Sequence, residues 1–315
     1  MSKLSIIIPC HNEEKTLPLL FEDLKNEKKN LDKIEKIDYE IICVNDGSTD
    51  MTLDVLKEYS KKYKYINYVS LSRNFGKESA MYAGFKYSTG DYIVVMDADG
   101  QDPVSLLPQM LSNIKDGYEC VATKRLNRKG EPIIRTFFSK LIYKIINKIS
   151  DTKIVEGARD YRMFTRKFIN SLLQMSEFNR FSKGLFSYVG YKTKYLEYEN
   201  IERRNGKTAW SFWKLVKYSM DGIIAFSTTP LLIVSIMGII ICFISVIFLI
   251  YIIINKVVYD NSVDGWTSLA CLITFTSGVV VFSIGVSSQY IARIYSESKG
   301  RPIYIVDETN LKGDK

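Results

Sequence analysis

Three aspartates, Asp97, Asp99 and Asp102, stand with Gln101 in the stretch VVMDADGQDP at residues 94–103, where an apolar run stops. Asp97 and Asp99 flank Ala98, and in extended chain an i, i+2 spacing sends both carboxylates to one side. Two carboxylates held together need a cation, and hard oxygen ligands suit Mg²⁺ or Mn²⁺. Mg²⁺ usually keeps one or two protein carboxylates and completes its shell with substrate phosphates, so a diphosphate is the expected partner. Asp102 precedes Pro103, the pattern of a helix N-cap with proline in the first turn, and is expected to cap the helix that follows.

Two further clusters, PCHNEE at 9–14 and NDGSTD at 45–50, also follow apolar runs. Asp46 stands at the end of one such run, Gly47 permits a tight turn, and residues 48–50 can cap the next helix. A carboxylate there could accept the imide N–H of uracil or the equivalent edge of guanine. In LSRNFGKESA at 71–80, Arg73 and Lys77 surround Asn74 and Gly76 as a helix opens, where basic groups and helix N–H donors suit a nucleotide.

The elements that must position these residues follow from the pattern. Residues 4–9, 39–45, 66–71, 92–97 and 119–123 read as strands, and 14–29, 50–63, 77–87 and 104–115 as helices between them. This alternation predicts βαβ units and a mainly parallel sheet, whose ligands bind beyond the carboxyl ends of the strands. The clusters above lie at those ends. A further strand is expected at 194–203, and the tail RPIYIVDE after residue 300 either adds a strand or lies on the surface.

Residues 231–254 and 266–292 contain no Asp, Glu, Lys or Arg. Each run is long enough to cross a hydrocarbon core of roughly 30 Å as a helix. Lys207, Lys214 and Lys217 precede the first, and Arg293, Lys299 and Arg301 follow the second, while the loop carries Lys256 against Asp260 and Asp264. The positive-inside rule then puts both chain ends on the cytoplasmic side. Residues 1–9 read as one short strand-like run followed by polar residues, so no cleavable signal is expected there. Five scattered cysteines with no CxxC pair indicate reduced thiols, with no disulfide framework or zinc site.

The net charge of +8 is concentrated at 123–149, where eight basic residues face one acid, Glu131. Within it, residues 132–149 show apolar positions at 3- and 4-residue steps with Lys140, Lys144 and Lys148 opposite, as in a basic amphipathic helix lying in a membrane interface or packed on a sheet. Arg135 falls in the apolar sector with Ser139 at its edge, and an arginine there needs an anionic partner. The expected organisation is a catalytic domain at 1–210 that includes this helix, a juxtamembrane amphipathic helix at 211–228, a transmembrane hairpin at 229–294 and a cytoplasmic tail at 295–315.

In SIIIPCHNEE, YEIICVNDGSTD, LSRNFGK and GDYIVVMDADGQDP, taken in that order, the chain resembles the family 2 glycosyltransferases of GT-A fold. From residue 158 onward, ARDYRMFTRKFINSLLQMSEFNRFSKGLFSYVGY, ERRNGKTAWSFWKLVKYSMDGIIAFSTTPL and the paired apolar runs are similar to the polyprenyl-phosphate glycosyltransferases. The bactoprenol glucosyltransferase branch is the nearer likeness and dolichyl-phosphate mannose synthase the more distant. The resemblance implies that Pro9, Asn12, Glu13, Asp46, Arg73 and Ala98 bind the nucleotide, and that Asp97, Asp99 and Gln101 hold the metal on the diphosphate. It implies that Arg125, Arg135 and Ser139 serve the donor and acceptor phosphates, that Asp160 is catalytic, and that Arg203 belongs to an acceptor-side loop. It further implies a membrane enzyme that assembles as a tetramer. Two positions depart from the family pattern. His11 replaces a tyrosine and reads as a wall of the base pocket, and Gly100 replaces a leucine, which removes no ligand.

Polyprenyl phosphate, as a monoester with a second pKa of about 6, is already largely anionic near neutrality and needs little deprotonation. Catalysis then rests on positioning two anions and stabilising the leaving diphosphate. The resemblance implies inversion at the anomeric carbon, and Asp160 is expected to orient an arginine or the sugar as much as to take a proton. Two alternatives differ in class. A processive polysaccharide synthase of the same fold would carry a Q-x-x-R-W motif where NRFSKG and RRNGKTAW stand, and a non-catalytic nucleotide sensor would have no need of Asp97, Asp99, Arg135 and Asp160.

Overall fold

The computed structural model describes residues 2–126, 147, 155–199, 222–259 and 265–311. The expected helix at 132–149, most of the helix at 211–228, and Arg135, Ser139 and Arg203 lie outside the described residues.

Alternating apolar runs become a sheet because their two faces are buried against different helices. Strands β1 (Lys3–Cys10), β2 (Asp38–Asn45), β3 (Ile66–Leu71) and β4 (Tyr92–Val95) pair in parallel as β3-β2-β1-β4. Beyond β4 the sheet continues with β6 (Ala158–Thr165), antiparallel to both β4 and β5 (Cys120–Arg125), and with β7 (Thr193–Tyr198), parallel to β5. On β1, Leu4, Ile6 and Ile8 face a core built with α1 (Leu17–Ile34) and α4 (Leu107–Lys115), through Leu17, Phe21, Met110 and Leu111. Ile7 points to the other side, where α3 (Lys77–Tyr87), α5 (Arg166–Leu173) and α6 (Ser182–Tyr188) contribute Met81, Phe85, Phe168 and Leu185. The period of 2 along one strand thus fills two cores. Helix α2 (Thr52–Lys62) packs beside α1, with Leu56 fully buried.

The tail question resolves as a strand. β8 (Val306–Thr309) adds antiparallel to the outer edge of β3, giving the order β7-β5-β6-β4-β1-β2-β3-β8. Ser72 N–H donates to the Ile305 carbonyl (3.0 Å), and Tyr304 lies edge-on to Tyr82. The chain returning from the apolar helices therefore closes the edge beside the β3–α3 loop.

Boundaries differ from expectation where side chains redirect the backbone. α1 starts at Leu17 because Thr16 Oγ1 folds back on the Glu13 carbonyl and Pro18 sits in the first turn, and it runs on to Ile34 because Leu31 is buried. Strand β4 stops at Val95, so Asp97 and Asp99 lie in a turn and the alternation expected of extended chain does not set their directions.

At the sheet end remote from these loops, buried Glu40 accepts from Ser5 Oγ (2.6 Å), Lys3 Nζ (2.7 Å), Thr89 N (2.8 Å) and Thr89 Oγ1 (2.9 Å). Burial alone would raise its pKa, but the bonds from Lys3, Ser5 and Thr89 outweigh burial and hold it below the usual carboxylate range. Glu40 therefore stabilises the fold above the ordinary glutamate pKa, and that stabilisation is lost as pH falls through the lowered folded value. Glu40→Ala is expected to cost about 2–4 kcal/mol by leaving buried donors and a lysine without their acceptor. Thermal midpoints of wild type and variant should differ clearly at pH 7, and the gap should narrow as pH falls below the ordinary glutamate range; equal midpoints at pH 7 would contradict this role.

Helices α7 (Thr229–Tyr259) and α8 (Trp266–Ser298) are longer than the charge-free runs at 231–254 and 266–292. Both contain stretches long and apolar enough to cross a membrane, Thr229–Phe248 and Leu272–Ser298, and neither stretch is buried within the chain. Side chains such as Ile239, Phe243 and Val281 are more than two-thirds exposed, unlike those of a soluble core helix. The end of α8 reaches the α/β domain, where Glu297 accepts from the Phe178 (2.9 Å) and Asn179 (3.3 Å) amides.

Candidate active site

The loops after β1 and β2 are stitched into one surface. Asn12, in the left-handed region at φ +60, accepts from Thr49 N through Oδ1 (2.8 Å) and donates its own N–H to Ser48 Oγ (3.0 Å). Glu13 N–H donates to Thr52 Oγ1 (2.8 Å), and Glu14 and Asp50 bridge in the same direction. His11 Nδ1 lies 3.0 Å from the Asp46 carbonyl oxygen, with the Asn74 amide nitrogen 3.2 Å away.

Asp46 is the hinge between these loops and the next. One of its carboxylate oxygens accepts from Phe75 N (2.7 Å) and the other from Gly76 N (2.9 Å), so its first task is to hold the β3–α3 loop. A base N–H could use only the remaining lone pairs. Burial pushes the Asp46 carboxyl up, against the pull of those two amides. Arg73 lies over the Phe75 ring, 4.1 Å from its centroid, and donates to the Asn74 carbonyl. Gly47, at φ +62, lets the two loops touch: a Cβ there would sit 2.4 Å from both the Arg73 carbonyl carbon and the Asn74 nitrogen. Gly47→Ala is therefore expected to force the β3–α3 loop away from Asp46 and to weaken nucleotide binding at least about tenfold. Fluorescent-nucleotide titration checks this, and unaltered affinity would separate the loop from the nucleotide.

The acidic turn after β4 is closed by its own third aspartate. Asp102 does not cap a helix: Pro103 stays extended (φ −70, ψ 114), and the chain enters a short 3₁₀ turn at Val104 only afterwards. Instead Asp102 Oδ2 accepts from Asp97 N (2.8 Å) across the turn, and its Oδ1 is buried without a hydrogen bond, at 3.7 Å from Arg159 Nη2. An Asp-Pro pair suggests a cap from local sequence, but the nearer unsatisfied donor is the Asp97 amide that the end of β4 leaves exposed. Burial, with repulsion from Asp97, pushes Asp102 up to about 7. Asp99 Oδ1 accepts from Gln101 N (3.0 Å), Gly100 takes φ +75, and Gln101 Oε1 accepts from Arg125 Nη2 (3.1 Å) at the end of β5. Ala98 is buried beneath the turn.

Sequence reasoning gave Lys77 to a nucleotide; the structure puts it among the acids. As the first residue of α3, it reaches Asp97 Oδ1 (2.6 Å) and Asp160 Oδ2 (2.8 Å) at once. Burial would lower its pKa, but Asp160 and Asp97 outweigh burial and hold it well above the usual lysine value. Asp160, on β6, shows the converse. Burial would raise it, yet Lys77 and then Lys183 keep its carboxyl well below the ordinary range. Its neighbour Arg159, which sequence reasoning missed, approaches Asp97 Oδ2 at 3.8 Å. The signal for Arg159 was the pair Arg159-Asp160, because adjacent residues on β6 carry a cation and an anion to one strand end. Pro9 lies on β1, one residue before its end. The structure thus gathers Asp97, Asp99, Gln101, Arg125 and Asp160 around one strand end and Asn12, Glu13, Asp46 and Arg73 around the neighbouring loops. Among the described residues no three acidic, imidazole or thiol groups form a ready-made metal cage.

A mainly parallel α/β sheet with helices on both faces, a D-A-D turn at the end of β4 and an antiparallel extension beyond it is a GT-A glycosyltransferase domain. The chain belongs to Glycosyl transferase family 2, whose pattern matches residues 5–173. It is a glycosyltransferase. It is 41% identical to CsbB of Bacillus subtilis, named as a glycosyltransferase, over 98% of this chain and 92% of that protein. It is 34% identical to the prophage bactoprenol glucosyl transferase homolog of Escherichia coli, over 96% of this chain and 98% of that protein. The bactoprenol glucosyl transferase of Shigella phage SfV is also 34% identical, over 98% and 100%. Among solved structures, the glucosyl-3-phosphoglycerate synthase of Mycobacterium tuberculosis overlays with a TM-score of 0.46 at 17% identity, covering 71% of this chain and 78% of that one, too slight a likeness to carry a functional statement.

Proposed function

We propose that the chain moves a hexosyl group, glucose in the first instance and N-acetylglucosamine as the next choice, from a UDP-sugar to undecaprenyl or another polyprenyl phosphate at the cytoplasmic face of the membrane. The observation that carries this reading is the acid turn at Asp97–Asp102, set among Lys77, Arg125 and Arg159 in a family 2 domain that continues into two exposed apolar helices. Kinship with bactoprenol glucosyl transferases over nearly the whole chain supports the lipid acceptor.

The acid turn fits Mg²⁺ or Mn²⁺. Asp97 and Asp99 supply hard oxygens, and beside them Asp102 keeps one buried oxygen, Oδ1, without a hydrogen bond. Asp97, Asp99 and Gln101 would hold the ion. When bound, it supplies charge neutralisation for the leaving diphosphate.

The chain's own residues do the rest. Pro9 at the end of β1 and the loops bearing Asn12, Glu13, Asp46, Arg73 and Ala98 hold the nucleotide, with His11 beside Asp46 as a wall of that pocket. Arg125 is poised at the diphosphate through its bond to Gln101. Arg135, Ser139 and Arg203 receive the acceptor phosphate, which attacks the anomeric carbon in line and gives a β-linked lipid monophosphosugar. Asp160 accepts from Lys77 Nζ and orients it; against burial, Lys77 and then Lys183 hold its carboxyl well below the ordinary range. Helices α7 and α8 span the bilayer with both chain ends on the cytoplasmic side, by the basic residues that flank them.

A panel test decides among donors. Full-length protein in nanodiscs with undecaprenyl phosphate should convert UDP-glucose fastest, and the anomeric coupling of the product should be that of a β-linked sugar. Transfer from no nucleotide sugar would favour the non-catalytic sensor, and elongation beyond one sugar would favour the processive synthase.

A further inference from the structure

Lys77 is placed against the helix dipole. It is the first residue of α3, where the positive end of the helix disfavours a cation, and Gly76 offers no side-chain cap. Both residues before it are fixed, because Asp46 holds the Phe75 and Gly76 amides. The residue after it is fixed as well: Glu78 accepts from Ser182 N (3.1 Å) and from Ser182 Oγ. The backbone at Lys77 therefore has little freedom, while its ammonium ends a flexible four-carbon stem and its side chain is 39% exposed. That ammonium bridges two carboxylates, one from the D-A-D turn and one from β6.

We propose that Lys77 is a positioning residue whose ammonium occupies, before the donor arrives, the charge site that the divalent cation takes on Asp97, and that it yields Asp97 while staying tethered to Asp160. This rests on the reading of Asp97 as a metal ligand. The resting turn is then kept from collapsing or repelling itself without a metal, and the divalent ion competes with an internal cation until a diphosphate adds its own negative charge. Weak metal binding without nucleotide and tight binding with it follow from that competition. Asp160 is the tether: when Asp97 turns to the metal, Lys77 remains beside the reacting groups as a fixed positive charge.

The test is Mn²⁺ binding to the full-length protein in nanodiscs, read by the paramagnetic resonance signal of free Mn²⁺, with and without UDP. Without UDP, Lys77→Met should bind Mn²⁺ about tenfold more tightly than wild type, because a competing charge in a partly solvated site is gone. Lys77→Gln, which keeps a polar but shorter and uncharged side chain, should behave likewise. Lys77→Arg, which keeps the charge, should stay near wild type. The gain in Mn²⁺ affinity on adding UDP should shrink in both neutral variants. If neither neutral variant binds Mn²⁺ more tightly while Asp97→Asn abolishes binding, Lys77 does not share the cation's place and the inference is overturned. If Asp97→Asn leaves Mn²⁺ binding intact, the metal assignment itself fails, and this inference falls with it.

Discussion

Asp97→Asn is expected to lower the rate of sugar transfer by about 10²–10³-fold, the scale on which loss of one charge-stabilising group at a reacting centre is felt. The affinity for the lipid acceptor stays near wild type, and Asp99→Asn acts in the same direction. The fold survives, and the reason lies in the turn itself. Asp97 accepts Lys77 and Arg159 through its side chain, but the turn is closed by its backbone N–H on Asp102, which the substitution leaves in place. Neutralising residue 97 also removes the repulsion that, after burial, does most to push Asp102 up to about 7. The thermal midpoint should therefore not fall. Steady-state kinetics and a melting curve on the same purified variant check both halves. Full activity would remove Asp97 from the mechanism, and a collapsed fold would make it structural.

The second large effect is expected at Asp160. Asp160→Asn removes the tether of Lys77 from β6 and slows transfer by about 100-fold. The pH profile separates orientation from proton transfer. Against burial, Lys77 and Lys183 hold the Asp160 carboxyl well below the ordinary range, so it is ionised throughout the working range and contributes no limb to the profile there. The acid limb then belongs to the acceptor, whose second ionisation lies at about pH 6. It should persist in Asp160→Asn, and it should move upward with a polyprenyl phosphonate, which ionises at higher pH. A limb that ignores the acceptor and vanishes in Asp160→Asn would restore Asp160 as the base.

Much of the fold was legible because its signals are local and repeated. Strand β3 and helix α3 fall where the apolar pattern puts them, and the parallel pairing among strands β1 to β4 is what short strands joined by helices predict. The clustering of chemistry after β1, β2 and β4 was legible too, since a parallel sheet directs those ends one way. What the sequence concealed depends on partners distant along the chain. Asp102 looked like a cap because Pro103 follows it, yet its partner is the amide that the early end of β4 exposes. Lys77 looked like a nucleotide contact because it is a basic residue at a helix start; only the pairing of β6 with β4 brings Asp160 to its other side. The tail could be assigned to the sheet only once β3 was known to present an open edge to it.

Metal-dependent transfer to a lipid phosphate is the activity proposed for the acid turn. A single-turnover experiment with full-length protein, undecaprenyl phosphate and UDP-glucose labelled in the sugar tests this directly, with Mg²⁺ or Mn²⁺ and again with excess chelator. Label is expected in the lipid fraction with the ion and none with chelator. Label entering the lipid at the same rate in chelator would contradict it.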